Sequence, residues 1–172
     1  MRRRGPSPSD KMRVAITNLQ RARKINRRLL KQIADALLAE LNMGQAEIGI
    51  CLVDAREMAR LNETFLRHAG STDVITFDYS DPGTPTRGAR SAVHGEIFVC
   101  VDEAVLQAQK FGTNWQSETV RYIVHGVLHL TGHDDRRSPA RRKMKREENR
   151  LLAGLSRRFS LAQLSRPVRI SS

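Results

Sequence analysis

The chain has 172 residues, about 40% of them hydrophobic, which is enough for one domain with a sizeable core and too apolar for a disordered polypeptide. No apolar run approaches the roughly 20 residues that a bilayer-crossing helix needs, and the basic start MRRRGPSPSDK has no apolar stretch behind it, so no secretory signal is expected and the location expected is cytoplasmic. The formal charge of +12 is unevenly spread: residues 1–31 carry eleven Lys/Arg against one Asp, residues 136–172 twelve against two, and residues 32–135 seven against fifteen acidic groups.

Residues 1–11, rich in Arg, Pro and Ser, read as a flexible basic tail. VAIT (14–17) is a strand candidate. Ile25, Leu29, Ile33, Leu37 and Leu41 recur every four residues, the mark of an amphipathic helix with Arg27, Arg28 and Lys31 on its other side. Gly44 should stop it. IGICLV (48–53) is the next strand. Asp54, with Glu57 three residues on, opens a helix that should reach about Phe65. A loop with Arg67, His68 and Gly70 leads to the strand DVITFDY, and Pro82, Gly83, Pro85 and Gly88 make residues 80–92 an exposed loop. HGEIFVCV (94–101) is the fourth strand, with Asp102 as a cap for the helix behind it. Thr113 and Gln116 suggest the start of a helix bearing Val120, Ile123, Val124, Val127 and Leu128, ended by Gly132. Ser138-Pro139 opens a last, very basic helix to about Leu152. The order βαβαββααα suits a single α+β domain over residues 12–155, a sheet with helices gathered on a face or an end. Residues 156–172 read as a basic C-terminal tail. Cys51 and Cys100 sit in apolar segments and read as free thiols.

HGVLHLTGHDD (125–135) concentrates three of the five histidines. His125 and His129, four apart on a helix, point the same way one turn apart and can converge on one ion. His133 on a continuing helix would stand about 12 Å along the axis from His125. Gly132, however, can take the left-handed turn that ends a helix and sends the chain back. The pattern His125-x-x-x-His129-x-x-Gly132-x-x-Asp135 has the spacing of the metzincin signature with a carboxylate in the last place. Asp135 is the first choice for third ligand, His133 the alternative and Asp134 the last. The residue after His125 is Gly126, where a zinc peptidase needs Glu to take a proton from water. Peptide cleavage is therefore disfavoured, and metal-assisted hydrolysis of another bond remains open.

At HGVLHLTGHDD the sequence resembles the YbeY-type rRNA maturation factors, whose motif is approximately H-G-x-L-H-L-x-G-[YH]-D-H. Leu61-Asn62-Glu63-Thr64-Phe65-Leu66-Arg67, Ser71-Thr72-Asp73-Val74-Ile75-Thr76-Phe77 and Gly95-Glu96-Ile97 extend the likeness, which covers roughly residues 14–152. The resemblance implies a zincin-like fold, a mixed sheet with the histidine helix along a cleft. It implies a metal-dependent endoribonuclease, specific for single strands, in 16S rRNA 3′-end maturation and ribosome quality control. The ligands would be His125, His129 and the residue in the third histidine's place, Asp135. Arg67 would hold the scissile phosphate. One divalent ion is implied, with zinc the first expectation and nickel or another ion the alternative.

Partners implied are rRNA and the small ribosomal subunit, a small-subunit ribosomal protein and an Era-type GTPase, without a membrane. The basic flanks fit that partner, and Arg27, Arg28 and Lys31, with the run Arg136, Arg137, Arg141, Arg142, Lys143, Lys145 and Arg146, are the RNA-contact candidates. His68 and His94 are read as incidental. The competing reading is a ribosome-assembly RNA-binding protein with a structural metal site.

Overall fold

The computed structural model describes residues 12–66, 72–81 and 92–165. Four strands, β1 (Met12–Asn18), β2 (Gln45–Val53), β3 (Val74–Asp78) and β4 (Ala92–Cys100), alternate with α1 (Arg27–Glu40) and α2 (Ala55–Leu61), and three helices follow: α3 (Val101–Phe111), α4 (Trp115–Leu130) and α5 (Ser138–Arg158). The expected order holds. The sheet runs β1-β2-β4-β3. β1, β2 and β4 are parallel, and β3 lies antiparallel on the edge.

Alternation along the strands decides what each face does. Ala46, Ile48, Ile50 and Leu52 of β2 and Val93, Ile97 and Val99 of β4 are buried together with side chains of α1, α4 and α5 in the main core. A period of two places the intervening residues on the opposite face. There a smaller cluster joins Val53, Met58, Leu61, Ile75 and Cys100, under α2, to the partly buried Phe77 and Phe98.

In α1 the fully buried residues are Leu30, Ile33, Leu37 and Leu38, while Ile25, Leu29 and Leu41 are only partly buried. A strict four-residue row drifts about 40° per step around a helix of 3.6 residues per turn, so the expected stripe leaves the core at both ends. α2 is capped by Asp54, which accepts the Glu57 N–H at 2.8 Å, and continues through one π turn, Asn62–Leu66, close to the expected end.

Three expected helix starts differ. Asp102 does not cap its own helix, whose N-cap is Cys100; its carboxylate accepts the Ala55 N–H at 2.7 Å and so ties α3 to α2. Asn114 rather than Thr113 caps α4, accepting from Ser117. Arg137 precedes α5, which puts Ser138 and Pro139 inside its first turn.

The last helix runs past Leu152 to Arg158, and a 3-10 turn, Leu161–Ser165, buries Leu161 and Leu164 in the main core. The Asn26 N–H bonds to the Leu164 carbonyl at 2.8 Å. Packed structure therefore extends beyond residue 155, because Leu155, Leu161 and Leu164 continue the apolar stripe that Leu151 and Leu152 begin.

Two glycines let α4 lie close on the sheet. A Cβ at Gly126 would stand 2.7 Å from Ile97 Cγ2, and one at Gly95 would stand 2.8 Å from Leu130 Cδ2. This contact fixes how far α4 sits from β4 and β3. Both cysteines are free. Among the described residues no helix is long and apolar enough to cross a membrane.

Candidate metal centre

With Gly126 turned into the sheet, the adjoining side of α4 presents His125 and His129, their rings 4.7 Å apart between centroids. α4 ends at Leu130, and Gly132 adopts φ 93°, the positive-φ turn that returns the chain. Its N–H bonds to the His129 carbonyl, and that of His133 to the Leu128 carbonyl, both at 3.0 Å. Asp135 is thereby carried back beside the imidazoles.

His129 Nε2 lies 3.1 Å from His125 Nε2. Asp135 Oδ2 lies 3.4 Å from His129 Nε2 and 3.7 Å from His125 Nε2. A tetrahedral zinc ion about 2.05 Å from each donor would hold such atoms about 3.3 Å apart. The donor set therefore fits a divalent ion in both chemistry and spacing, and His125, His129 and Asp135 could hold one. The imidazoles are 27% and 28% exposed and the carboxylate 40%, so an ion held there would be within reach of water or substrate.

His133 is not part of that cluster; its charge acts on Glu147, whose carboxyl is held below its ordinary value chiefly by the Arg150 hydrogen bond, against the opposing effect of burial. Asp134 is engaged by the backbone N–H and guanidinium of Arg136, which hold its carboxyl low. The turn thus separates three neighbouring candidates and gives one of them to the site.

Sequence reasoning did not find Glu148. Its side chain is only 4% exposed, and it faces His125 Nδ1 at 2.9 Å. It also accepts from Arg121 Nη1 at 2.9 Å and Lys145 Nζ at 3.0 Å. Burial pushes the Glu148 carboxyl upward, but the hydrogen bonds from His125, Arg121 and Lys145 outweigh it and hold the group at about 2. An ionised Glu148 accepts a proton-bearing Nδ1, which leaves the Nε2 lone pair of neutral His125 facing the cluster. Burial works to lower the His125 value, and the bond and charge of Glu148, with Asp135 and Asp73, raise it overall. The missed signal was an acidic residue on the buried stripe of α5, between Met144 and Leu151, Leu152 and Leu155.

A cavity of about 280 Å³ opens beside the ligands, lined by Asp73 and by α4 and α5 residues that include Arg121, Tyr122, Arg141 and Lys145. The model of the family described as Endoribonuclease YbeY matches residues 13–156. The chain belongs to the endoribonuclease YbeY family. An Endoribonuclease YbeY of Myxococcus xanthus is 38% identical over 125 residues, which are 73% of this chain and 42% of that protein. One from Elusimicrobium minutum is 36% identical over 72% of this chain and 85% of its own length. One from Chlorobium luteolum is 32% identical over 85% of this chain and all of its own. The solution structure of a Thermotoga maritima protein superposes with a TM-score of 0.62 at 20% identity, covering 93% of this chain and all of that one, which shows the shared fold.

Of the residues that the YbeY resemblance singles out, Arg67 and His68 lie outside the described residues. His94 is exposed on β4 against the Tyr79 ring and is not in the ligand cluster. Arg27, Arg28 and Lys31 are exposed on α1, with Lys31 paired to Asp35 at 2.8 Å. Arg136 and Arg137 are exposed ahead of α5, and Arg142 donates to Ser138 Oγ at 2.8 Å. Arg141 and Lys145 are the RNA-contact candidates that line the cavity. Arg121, which sequence reasoning did not single out, lines it too.

Proposed function

We propose that this chain is a metal-dependent endoribonuclease that cleaves single-stranded RNA at the 3′ end of 16S rRNA and serves ribosome quality control in the cytoplasm. One observation carries the reading: in a member of a family whose relatives are named endoribonucleases, two imidazoles and one carboxylate converge, partly exposed, at the edge of a cavity that also holds three basic side chains. Zinc is the ion that two His and one Asp suit best.

When bound, a divalent ion supplies Lewis acidity for a phosphoryl group and makes water easier to deprotonate. The protein's own contribution is orientation and charge. Glu148 accepts the Nδ1 proton of the neutral His125 ring, so that Nε2 is the nitrogen turned to the ligand cluster. Gly126, pressed against Ile97, offers no general base of the peptidase kind. The basic groups in the cavity counter the charge of a polyanion, and Arg67 is proposed to clamp the scissile phosphate. The catalytic unit is proposed to begin at residue 12 and to include the packed residues to 165, with Arg27, Arg28, Lys31, Arg136, Arg137, Arg141 and Arg142 as the RNA track. A small-subunit ribosomal protein and an Era-type GTPase are the proposed protein partners.

The test is cleavage of a single-stranded rRNA 3′ segment, with binding measured in parallel. The wild type should cut it, and His129→Ala should still bind but no longer cleave. Undiminished cleavage by His129→Ala would overturn the metal-hydrolase role and leave an RNA-binding assembly protein.

A further inference from the structure

The cavity beside the ligands is lined by three basic side chains, Arg121, Arg141 and Lys145, and by Tyr122, alongside Met144 and the carboxylates Asp73, Asp135 and Glu148. Arg121 spends one nitrogen, Nη1, on Glu148 and on Asn149 at 2.8 Å, and its Nε is 4.0 Å from Glu118. A guanidinium has five N–H groups, so Arg121 keeps donors in reserve. Lys145 makes one bond, to Glu148. The Arg141 guanidinium has no ion-pair partner among the described residues, although it lines the same cavity.

Tyr122 is the fourth member. It is 5% exposed, lines the cavity, and its hydroxyl oxygen is buried with no hydrogen-bond partner. A buried hydroxyl that forgoes its bond is costly, and such groups are commonly completed by a ligand or water. Tyr122 precedes His125 by one helical turn on the same stripe of α4, and Arg121 lies four residues before it. One turn is about 5.4 Å, comparable with one nucleotide step of an extended single strand.

We propose that this cavity is a subsite for the RNA phosphate next to the scissile one, held by Arg141 and by the spare donors of Arg121 and Lys145, with Tyr122 donating a neutral hydrogen bond. The assignment rests on the endoribonuclease reading for the identity of its ligand. Three carboxylates share the cavity. Glu148 is offset by Arg121 and Lys145, Asp73 accepts from the Val74 N–H at 2.8 Å, and Asp135 belongs to the ligand cluster, so Arg141 is the cation of the wall whose charge is not already paired. Burial, followed by the negative charges of Asp73, Glu118 and Glu103, raises the Tyr122 hydroxyl well above its ordinary value, so it stays a donor throughout the neutral range. A phosphodiester offers acceptors only, which matches the donor-rich wall.

The probe is a short single-stranded RNA carrying one uncharged methylphosphonate at successive linkages, read both as Kd by fluorescence anisotropy and as KM and kcat for cleavage. In the wild type, neutralising one linkage beside the cleaved one should weaken binding on the order of tenfold, the scale of a charge-assisted Arg–phosphate contact. That position-specific penalty should vanish in Arg141→Ala. Tyr122→Phe should raise KM roughly fivefold, the scale of one neutral hydrogen bond, with the effect in KM rather than kcat. Because it removes an unpartnered hydroxyl, its melting temperature should be unchanged or higher; a purely structural tyrosine would melt earlier. Wild-type Kd and KM in both variants, or a methylphosphonate penalty that survives Arg141→Ala, overturns the subsite. Absence of cleavage by the wild type, with the binding pattern intact, overturns the enzymatic reading instead.

Discussion

Glu148 offers the sharpest physical test, because a single buried carboxylate serves three cationic or polar partners. In Glu148→Gln the side chain keeps its shape and loses its charge. A carboxyl held at about 2 rather than its ordinary 4.5 corresponds to about 3 kcal/mol of preferential stabilisation of the folded state at neutral pH, at 1.36 kcal/mol per unit. Gln retains part of the hydrogen bonding, so the expected loss is about 2–3 kcal/mol. For a chain of this length that is roughly 8 °C in melting temperature.

The sign of the pH dependence follows from the downward shift. The group is ionised in the folded protein at pH values where the unfolded chain already binds a proton. Its contribution is therefore full above the unfolded value near 4.5 and is lost as pH falls through the folded value near 2. Urea unfolding of metal-free wild type and Glu148→Gln from pH 7 to pH 2 should show a gap that is wide at pH 7, grows further as His125, whose value Glu148 raises, takes up its proton towards pH 5, and narrows below pH 4.5. Equal stability at pH 7, or a gap that does not change with pH, would refute the account. The same variant should bind zinc about 10- to 100-fold more weakly in a chelator competition, the usual effect of losing the group that orients a ligating imidazole.

Gly126→Ala forces a methyl group to within 2.7 Å of Ile97 Cγ2; it should cost about 1–3 kcal/mol by thermal melting, and a value near zero would mean α4 sits farther from the sheet than described. Asp135→His restores a third imidazole at the returned position and should bind zinc at least as tightly as the wild type in the same chelator competition; loss of zinc there would show that the turn delivers only a short carboxylate to the site.

Residue order alone determined a good deal of this protein. The strands and helices were legible because alternation with period two and recurrence near 3.6 are local properties of the chain. The pairing of His125 with His129 needs only one helix, and the return of Asp135 needs only one glycine at positive φ. Helix starts were less legible. Asp102, Thr113 and Ser138 are all good cap types, and which neighbour caps a helix depends on where the preceding strand ends and what else competes for the side chain, as Ala55 does for Asp102.

The environment of the site was decided only by tertiary structure. Glu148 stands 23 residues from His125 in sequence, and nothing short-range links them; α5 must pack against α4 before the carboxylate meets Nδ1. Gly126 reads in sequence as a missing base, yet in the fold it is the contact that lets α4 settle on Ile97 and Thr76. Arg121, Tyr122, Arg141 and Lys145 likewise become one cavity wall only when two helices cross. Ligand spacing is a property of one helix and one turn, so it is written along the chain. Charge compensation and the cavity are properties of surfaces brought together by core burial, and these arise only once Met144, Leu151 and Leu155 have packed α5 onto the rest of the domain.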